Sequence, residues 1–402
     1  MSLATELDKE IQNGRNGKVG VIPVAYERIG NYIDIARNTL YVVGGETGDG
    51  KTTLASDLFV INPIKWYLQN KPENMKLSVI CFFMERAQHN YTARWLSRLI
   101  FEDTGTDISP KKILGRREND QLSDSEYALV KKYYAVLDEW EAEDLLICHS
   151  GSKNPTGISK YLEAFARKHG TIHDKDKSDS SMDNILASRT YVPNHLNHIV
   201  LVIGDNSGIL APEGDGKTKT LVDKFSRTMR EARDIYGFSP VIVQQLSRGM
   251  SDVSRQKLGE LQPKLSDFAD SSQTARDADV VLALFNPYNH SVSEREPHNG
   301  YDLKRLKDKW FRTYYRALYI LKNSFDSTGM NFPMAIQPVY GILRTLARSN
   351  EIPESIYEEV TSGRYFLPTD IEREERNILQ SKPFKGFGNR EAVLEQVKQA
   401  TT

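Results

Sequence analysis

The sequence predicts an α/β fold, a mainly parallel sheet with helices on both faces, and three observations carry that prediction. Short apolar, β-branched runs alternate along the chain with longer helical patterns. The runs lack strict in-and-out alternation, as strands covered on both faces do. One of them leads straight into a glycine-rich phosphate-loop pattern followed by a helix.

In chain order the runs are TLYVVGG (39–45), LSVICFFM (77–84), LLICH (145–149), HIVLVIG (198–204), PVIVQQ (240–245), DVVLALF (279–285) and RALYILK (316–322). Helices are expected between them. One covers Thr220–Tyr236, with Leu221, Val222, Phe225, Met229, Ala232 and Ile235 on one stripe and Gly237 as its stop. Another covers roughly Gln88–Phe101. Residues 1–18 read as a lead or linker helix running into NGRNG, 19–348 as the sheet domain, and 349–402 as a charged, weakly periodic tail. Within the domain, 171–195 is polar and reads as a mobile insertion.

The 402 residues carry 53 basic and 54 acidic side chains, so the whole chain gives no polyanion signal and any such site is a local patch. The two cysteines, Cys81 and Cys148, sit inside apolar runs and read as buried thiols, not as a disulfide or zinc set. The N-terminus lacks a signal-peptide apolar stretch, and no window is long and apolar enough for a membrane span. A reducing cytoplasm is the expected compartment, with no membrane partner.

The pentapeptide GDGKT occurs at 48–52 and again at 214–218. Only the first completes G-x-x-x-x-G-K-[ST], as Gly45-Glu46-Thr47-Gly48-Asp49-Gly50-Lys51-Thr52, with Thr53 following. Such a loop turns backbone N–H groups toward a β-phosphate, Lys51 neutralises phosphate charge, and Thr52 holds Mg²⁺. The second copy has Ala211 and Pro212 where the pattern needs its first glycine, and reads as an exposed loop whose Lys217 and Lys219 face solvent or a polyanion. Asp205, at the end of HIVLVIGD, is the expected second magnesium ligand. No Glu follows it, so the catalytic base is sought elsewhere: Glu85, at the end of LSVICFFM, is the candidate. Gln245, ending PVIVQQ, is a candidate γ-phosphate contact or simply a strand-end amide.

The set GETGDGKTT, FFMERAQ, VLVIGDNSGIL, PVIVQQLSR, PKLSDFADSSQTARDADVVLALF and ILKNSFDSTG resembles the ATPase domain of the DnaB-type replicative helicases, a RecA-fold family, over roughly residues 19–345. The resemblance implies a RecA-like P-loop NTPase core that binds ATP and Mg²⁺ through Lys51, Thr52 and Asp205. It implies Glu85 as catalytic base and Gln245 as the link from γ-phosphate to DNA. It implies a homo-hexameric ring on single-stranded DNA, with primase or a loader as further partners. The loop from Arg248 to Ala275, with Arg248, Arg255, Lys257 and Lys264, would line the ring's pore. The family's arginine finger, K-x-R, reads Lys322-Asn323-Ser324 here, so Lys322 is kept and serine stands at the arginine position. Either another arginine contacts the neighbour's nucleotide, Arg312 and Arg316 being close in sequence, or trans-activated hydrolysis is weakened. The family's N-terminal helical domain has no counterpart beyond residues 1–13, and a compact form of this kind suits a phage or other mobile element. The alternative function is a RecA- or RadA-like DNA-binding ATPase, or a non-unwinding accessory protein with weakened hydrolysis.

Overall fold

A computed structural model describes residues 3–15, 20–116, 120–150, 154–174, 189–213, 218–247, 255, 261–290 and 297–368. A small antiparallel pair, β1 (Val21–Ile22) and β2 (Ile35–Ala36), leads into the main sheet. That sheet has nine strands. In chain order they are β3 (Tyr41–Gly45), β4 (Lys76–Phe83), β5 (Leu146–His149), β8 (His198–Asp205), β9 (Ser239–Gln245), β10 (Val280–Phe285), β11 (Tyr315–Asn323), β12 (Asn331–Gln337) and β13 (Ile342–Thr345), with a hairpin of β6 (Gly170–Asp174) and β7 (Arg189–Pro193) outside it. The spatial order is β13-β12-β11-β10-β3-β9-β8-β4-β5. From β10 to β5 every neighbouring pair is parallel, and from β10 outward to β13 every pair is antiparallel.

The missing alternation in the sequence has a direct cause. Successive residues of a strand point to opposite faces, and both faces are cores. Tyr41 and Val43 of β3 enter one core with Phe59, Trp95 and Leu282, while Leu40 and Val42, on the other side, pack with Phe225, Met229 and Phe268. The helix Thr218–Tyr236 supplies the second layer through Leu221, Val222, Phe225, Met229 and Ala232. It stops at Gly237, whose φ of 66° is open to glycine and whose N–H closes on the Arg233 carbonyl at 3.0 Å. The helix Gln88–Thr104 covers the first face through Trp95, Leu96, Leu99 and Ile100.

Three expectations change. The ends of the polar stretch 171–195 are built: β6 and β7 pair from Gly170↔Pro193 to Asp174↔Arg189, and Tyr191 stacks edge-on against Tyr236 and Phe238. Ile172 and Tyr191 turn one face of that hairpin to the second core, but they stand among Thr171, His173, Asp174, Arg189 and Thr190, which is why it reads as loop in sequence. Residues 349–368 are not tail, because the helix Ile356–Ser362 buries Ile356, Tyr357 and Val360 in the second core and Phe366 follows. Finally, β12 and β13 add two strands that the sequence reading lacks. The lead helix runs Leu3–Arg15, with Leu7 and Ile11 exposed.

Candidate functional site

The phosphate-loop sequence forms a turn between the buried end of β3 and a helix, Lys51–Ser56. Gly48 and Gly50 hold φ of 88° and 103°, in the left-handed region that favours glycine. Asp49 organises the loop from within. Its Oδ2 accepts the Glu46 N–H at 2.8 Å and its Oδ1 accepts Asn289 Nδ2 at 3.0 Å. Burial pushes the Asp49 carboxyl up to about 7, against the backbone hydrogen bond from Glu46 and the nearby Arg316 guanidinium. Glu46 Oε2 lies 2.7 Å from His290 Nε2, a close approach without hydrogen-bond alignment, and that imidazole stacks on Phe285. The helix begins at once, so its first N–H groups and positive end face the loop's concavity. Lys51 is only 8% exposed at its start.

Beside Lys51, Thr52 Oγ1 donates to Asp205 Oδ1 at 3.1 Å, and Tyr91 Oη donates to Asp205 Oδ2 at 3.0 Å. Burial pushes the Asp205 carboxyl up to about 6, opposed by these two hydrogen bonds and reinforced by the charge of Glu85. Tyr91 has no motif to announce it. It sits one turn into the Gln88–Thr104 helix and stacks on Phe83 with ring centroids 4.0 Å apart. Glu85 follows β4 on the same sheet edge, exposed, with Met84 N–H bonded to the Asp205 carbonyl at 2.9 Å. A buried carboxylate reluctant to ionise, beside a threonine hydroxyl, fits a divalent cation whose charge would restore the anion. Among the described residues no group of three or more His, Cys, Asp or Glu could hold a metal alone. Mg²⁺ would then complete its shell with nucleotide phosphates and water.

Gln245 ends β9 and reaches the loop, its Nε2 donating to Thr47 Oγ1 at 2.9 Å, while Leu246 N–H bonds Gly45 O at 3.1 Å. The chain then enters the segment expected to face DNA. Arg248 and Lys257 lie outside the described residues. Arg255 is turned onto its own chain: Nη1 meets Asp267 Oδ1 at 2.6 Å and Nη2 donates to Gln262 O at 2.8 Å. Lys264 is exposed, and its N–H caps onto Asp267 at 2.7 Å. Of the second GDGKT, residues 214–217 also lie outside the described residues, and Thr218 opens the long helix.

The substitute-finger expectation for Arg316 is corrected. Arg316 is 5% exposed and lies beneath its own P-loop, with Nε donating to Asp49 O at 2.8 Å and Nη1 to Tyr315 O and Thr313 Oγ1. Its sequence distance from the loop hid this: antiparallel β11 starts at the P-loop edge and runs away from it, so its first residues lie there. Lys322, at the far end of β11, pairs with Val281 and lies at the opposite edge, where Nζ donates to Arg276 O at 2.8 Å. Ser324 follows it, N–H bonded to Asp279 O. Arg312 is exposed.

The far flank of the sheet walls the site. A cavity beside the loop is lined by Thr52, Thr53, Tyr91, Arg94, Tyr340 and Gly341. Arg94 Nη2 donates to Pro338 O at 2.8 Å, and burial draws its guanidinium down to about 10. Arg98 anchors the same turn through Gly341 O at 3.2 Å while pairing with Asp57 at 2.5 Å and Glu102 at 3.0 Å. Lys65 closes on Glu102 and Tyr26 on Asp57, so these two buried carboxylates are both partnered.

The DnaB-like helicase C-terminal domain family model matches residues 22–309. Among solved structures, one described as an ATPase domain is similar at a TM-score of 0.58 and 15% identity, over 86% of this chain and 99% of that one. A DnaB-like replicative helicase, solved to describe its interactions with primase, is similar at a TM-score of 0.57 and 16% identity, over 86% of this chain and 68% of that one. Both carry the expected RecA-like architecture. No curated protein sequence matches the chain. Among the described residues no helix is long and apolar enough to cross a membrane.

Proposed function

Because the chain belongs to the DnaB-like helicase C-terminal domain family, we propose that it is an ATP-driven motor that assembles as a homo-hexameric ring and translocates on single-stranded DNA during replication. One observation carries the chemistry: Thr52, Asp205 and Glu85 converge at the carboxyl edge of adjoining strands, directly beside the P-loop lysine. In this reading the loop from Gly45 to Thr53 holds the ATP phosphates, Lys51 neutralises their charge, and Thr52 and Asp205 hold Mg²⁺. Glu85 orients and deprotonates the attacking water. Gln245, already bonded to Thr47, senses the γ-phosphate and hands its position to the loop that follows, where Lys264, Arg248 and Lys257 track the DNA backbone. Lys322 and Arg312 are left to reach a neighbour's nucleotide. Primase or a loader is the proposed protein partner.

Serine at position 324 favours a second reading, a DNA-binding ATPase that hydrolyses slowly and does not unwind. Strand displacement on a forked duplex with ATP separates the two. The motor reading expects displacement and an ATPase rate raised by single-stranded DNA. Basal turnover that ignores single-stranded DNA argues against any motor.

A further inference from the structure

Between β10 and β11 the chain makes an excursion whose root is buried and whose tip is not. Tyr301, Leu303, Leu306 and Tyr314 anchor the root in the second core. The tip exposes two large aromatic rings, Trp310 at 70% and Phe311 at 77%. This is not slack chain. Asp308 Oδ1 accepts the N–H groups of both Trp310 and Arg312 at 2.8 Å, and Oδ2 accepts Tyr314 Oη at 3.1 Å. Phe311 N–H closes on Asp308 O at 3.0 Å, and Asp308 N–H on Arg312 O at 3.0 Å. Phe311 is held at a φ of 63°, which a bulky side chain adopts only when its surroundings impose it. Backbone strain and apolar exposure are both costs, and the turn is built to sustain them.

The charges around the rings indicate what they meet. Residues 304–312 hold Lys304, Arg305, Lys307, Lys309 and Arg312 against Asp308, on a chain of net charge −1, and of these Arg305 pairs with Glu354. The Lys307 ammonium lies 4.8 Å from the Phe311 ring centroid, and that of Lys309 lies 5.5 Å from the Trp310 centroid. An apolar protein partner covering these rings would have to bury those ammonium groups unpaired. A strand of unpaired nucleotides does not: its bases stack on the rings while its phosphates take the cations. We infer that the 307–312 tip is a second contact for single-stranded nucleic acid, separate from the pore loop. The inference borrows the nucleic-acid substrate of the proposed function but none of its motor chemistry.

Trp310 is the one highly exposed indole among the four tryptophans, since Trp95 and Trp140 are buried and Trp66 is partly buried. The full-length chain is titrated with oligothymidylate at low salt, reading tryptophan emission and, in parallel, the anisotropy of a labelled oligonucleotide. Emission is expected to quench as the oligonucleotide binds, and the quench to vanish in Trp310→Phe. Binding should weaken roughly tenfold in Trp310→Ala/Phe311→Ala. In Lys307→Gln/Lys309→Gln the dependence of affinity on salt should become shallower. Binding without quenching, at undiminished affinity in the double alanine variant, overturns the tip contact and leaves the motor reading standing if DNA still stimulates ATPase. Quenching without ATPase stimulation does the reverse. A Trp310 change that follows protein concentration, with no oligonucleotide present, assigns the tip to a second copy of the chain and overturns the inference. Absence of any binding overturns both readings.

Discussion

Replacing Asp205 with asparagine separates the cost of a buried charge from its use. The carboxyl lies in β8 at 3% exposure, and burial raises it from 3.8 to about 6. With the folded value above the unfolded one, stability from this group is fully present below about pH 4 and is lost as pH rises toward about 6. At neutral pH and above, the ionised carboxylate therefore destabilises the cation-free fold, by about 3 kcal/mol on the distance between those two values. Asparagine keeps the shape and a carbonyl that can accept from Thr52 or Tyr91, and has no charge to desolvate. D205N is expected to melt a few degrees above the parent chain at about pH 8, with the gain shrinking toward zero only below about pH 4. Magnesium with a non-hydrolysable ATP analogue should raise the melting temperature of the parent chain and do little for the variant, and ATPase activity should be lost. The assay is thermal melting across pH, with and without magnesium nucleotide. A variant less stable than the parent at about pH 8, or equally stabilised by magnesium nucleotide, would refute the argument that this carboxylate is held for a cation.

Other substitutions test the remaining parts of the site. Lys51→Ala should abolish ATPase activity while leaving the melting curve near the parent's, and retained turnover sinks the P-loop assignment. Glu85→Gln should lower turnover by about 10²–10⁴-fold with nucleotide affinity preserved, measured by a fluorescent ATP analogue; equal losses in both would make Glu85 a binding residue. Arg316→Ala removes the guanidinium bond to Asp49 O, a charged hydrogen bond worth roughly 1.5–3 kcal/mol, so both stability and nucleotide affinity should fall even under conditions where the chain is monomeric. A defect confined to the assembled ring would instead restore a role toward the neighbour. Arg98→Met strands the carboxylates of Asp57 and Glu102 and should cost about 3–5 kcal/mol in denaturant unfolding; a change near zero would show that Lys65 and Tyr26 suffice.

The parallel half of the molecule was legible because two periodic signals agree there. Each β-branched run became a strand, and the glycine spacing between β3 and its helix left one reading for 45–52. Glu85, Asp205 and Gln245 were visible for the same reason: each is a polar residue closing a buried strand, and the carboxyl ends of parallel strands share one edge. Legibility stopped where a side chain is placed by another element's path. Tyr91 meets Asp205 because its helix folds back across β4 and β8, and Arg316 meets Asp49 because β11 runs antiparallel; neither fact is local in sequence. The hairpin of β6 and β7 was hidden because Ile172 and Tyr191 are scattered among polar residues, and β12 by Pro333 within it.

The turn joining β12 to β13 lies almost three hundred residues beyond the P-loop, yet Arg94 and Arg98 clasp its carbonyls and Tyr340 and Gly341 line the cavity beside Thr52 and Thr53. In the order of synthesis this matters. A nascent chain that has already made the phosphate loop and all six parallel strands still lacks one wall of the cavity. It gains that wall only as the last two strands emerge, so this side of the loop is complete only after the rest of the sheet is in place.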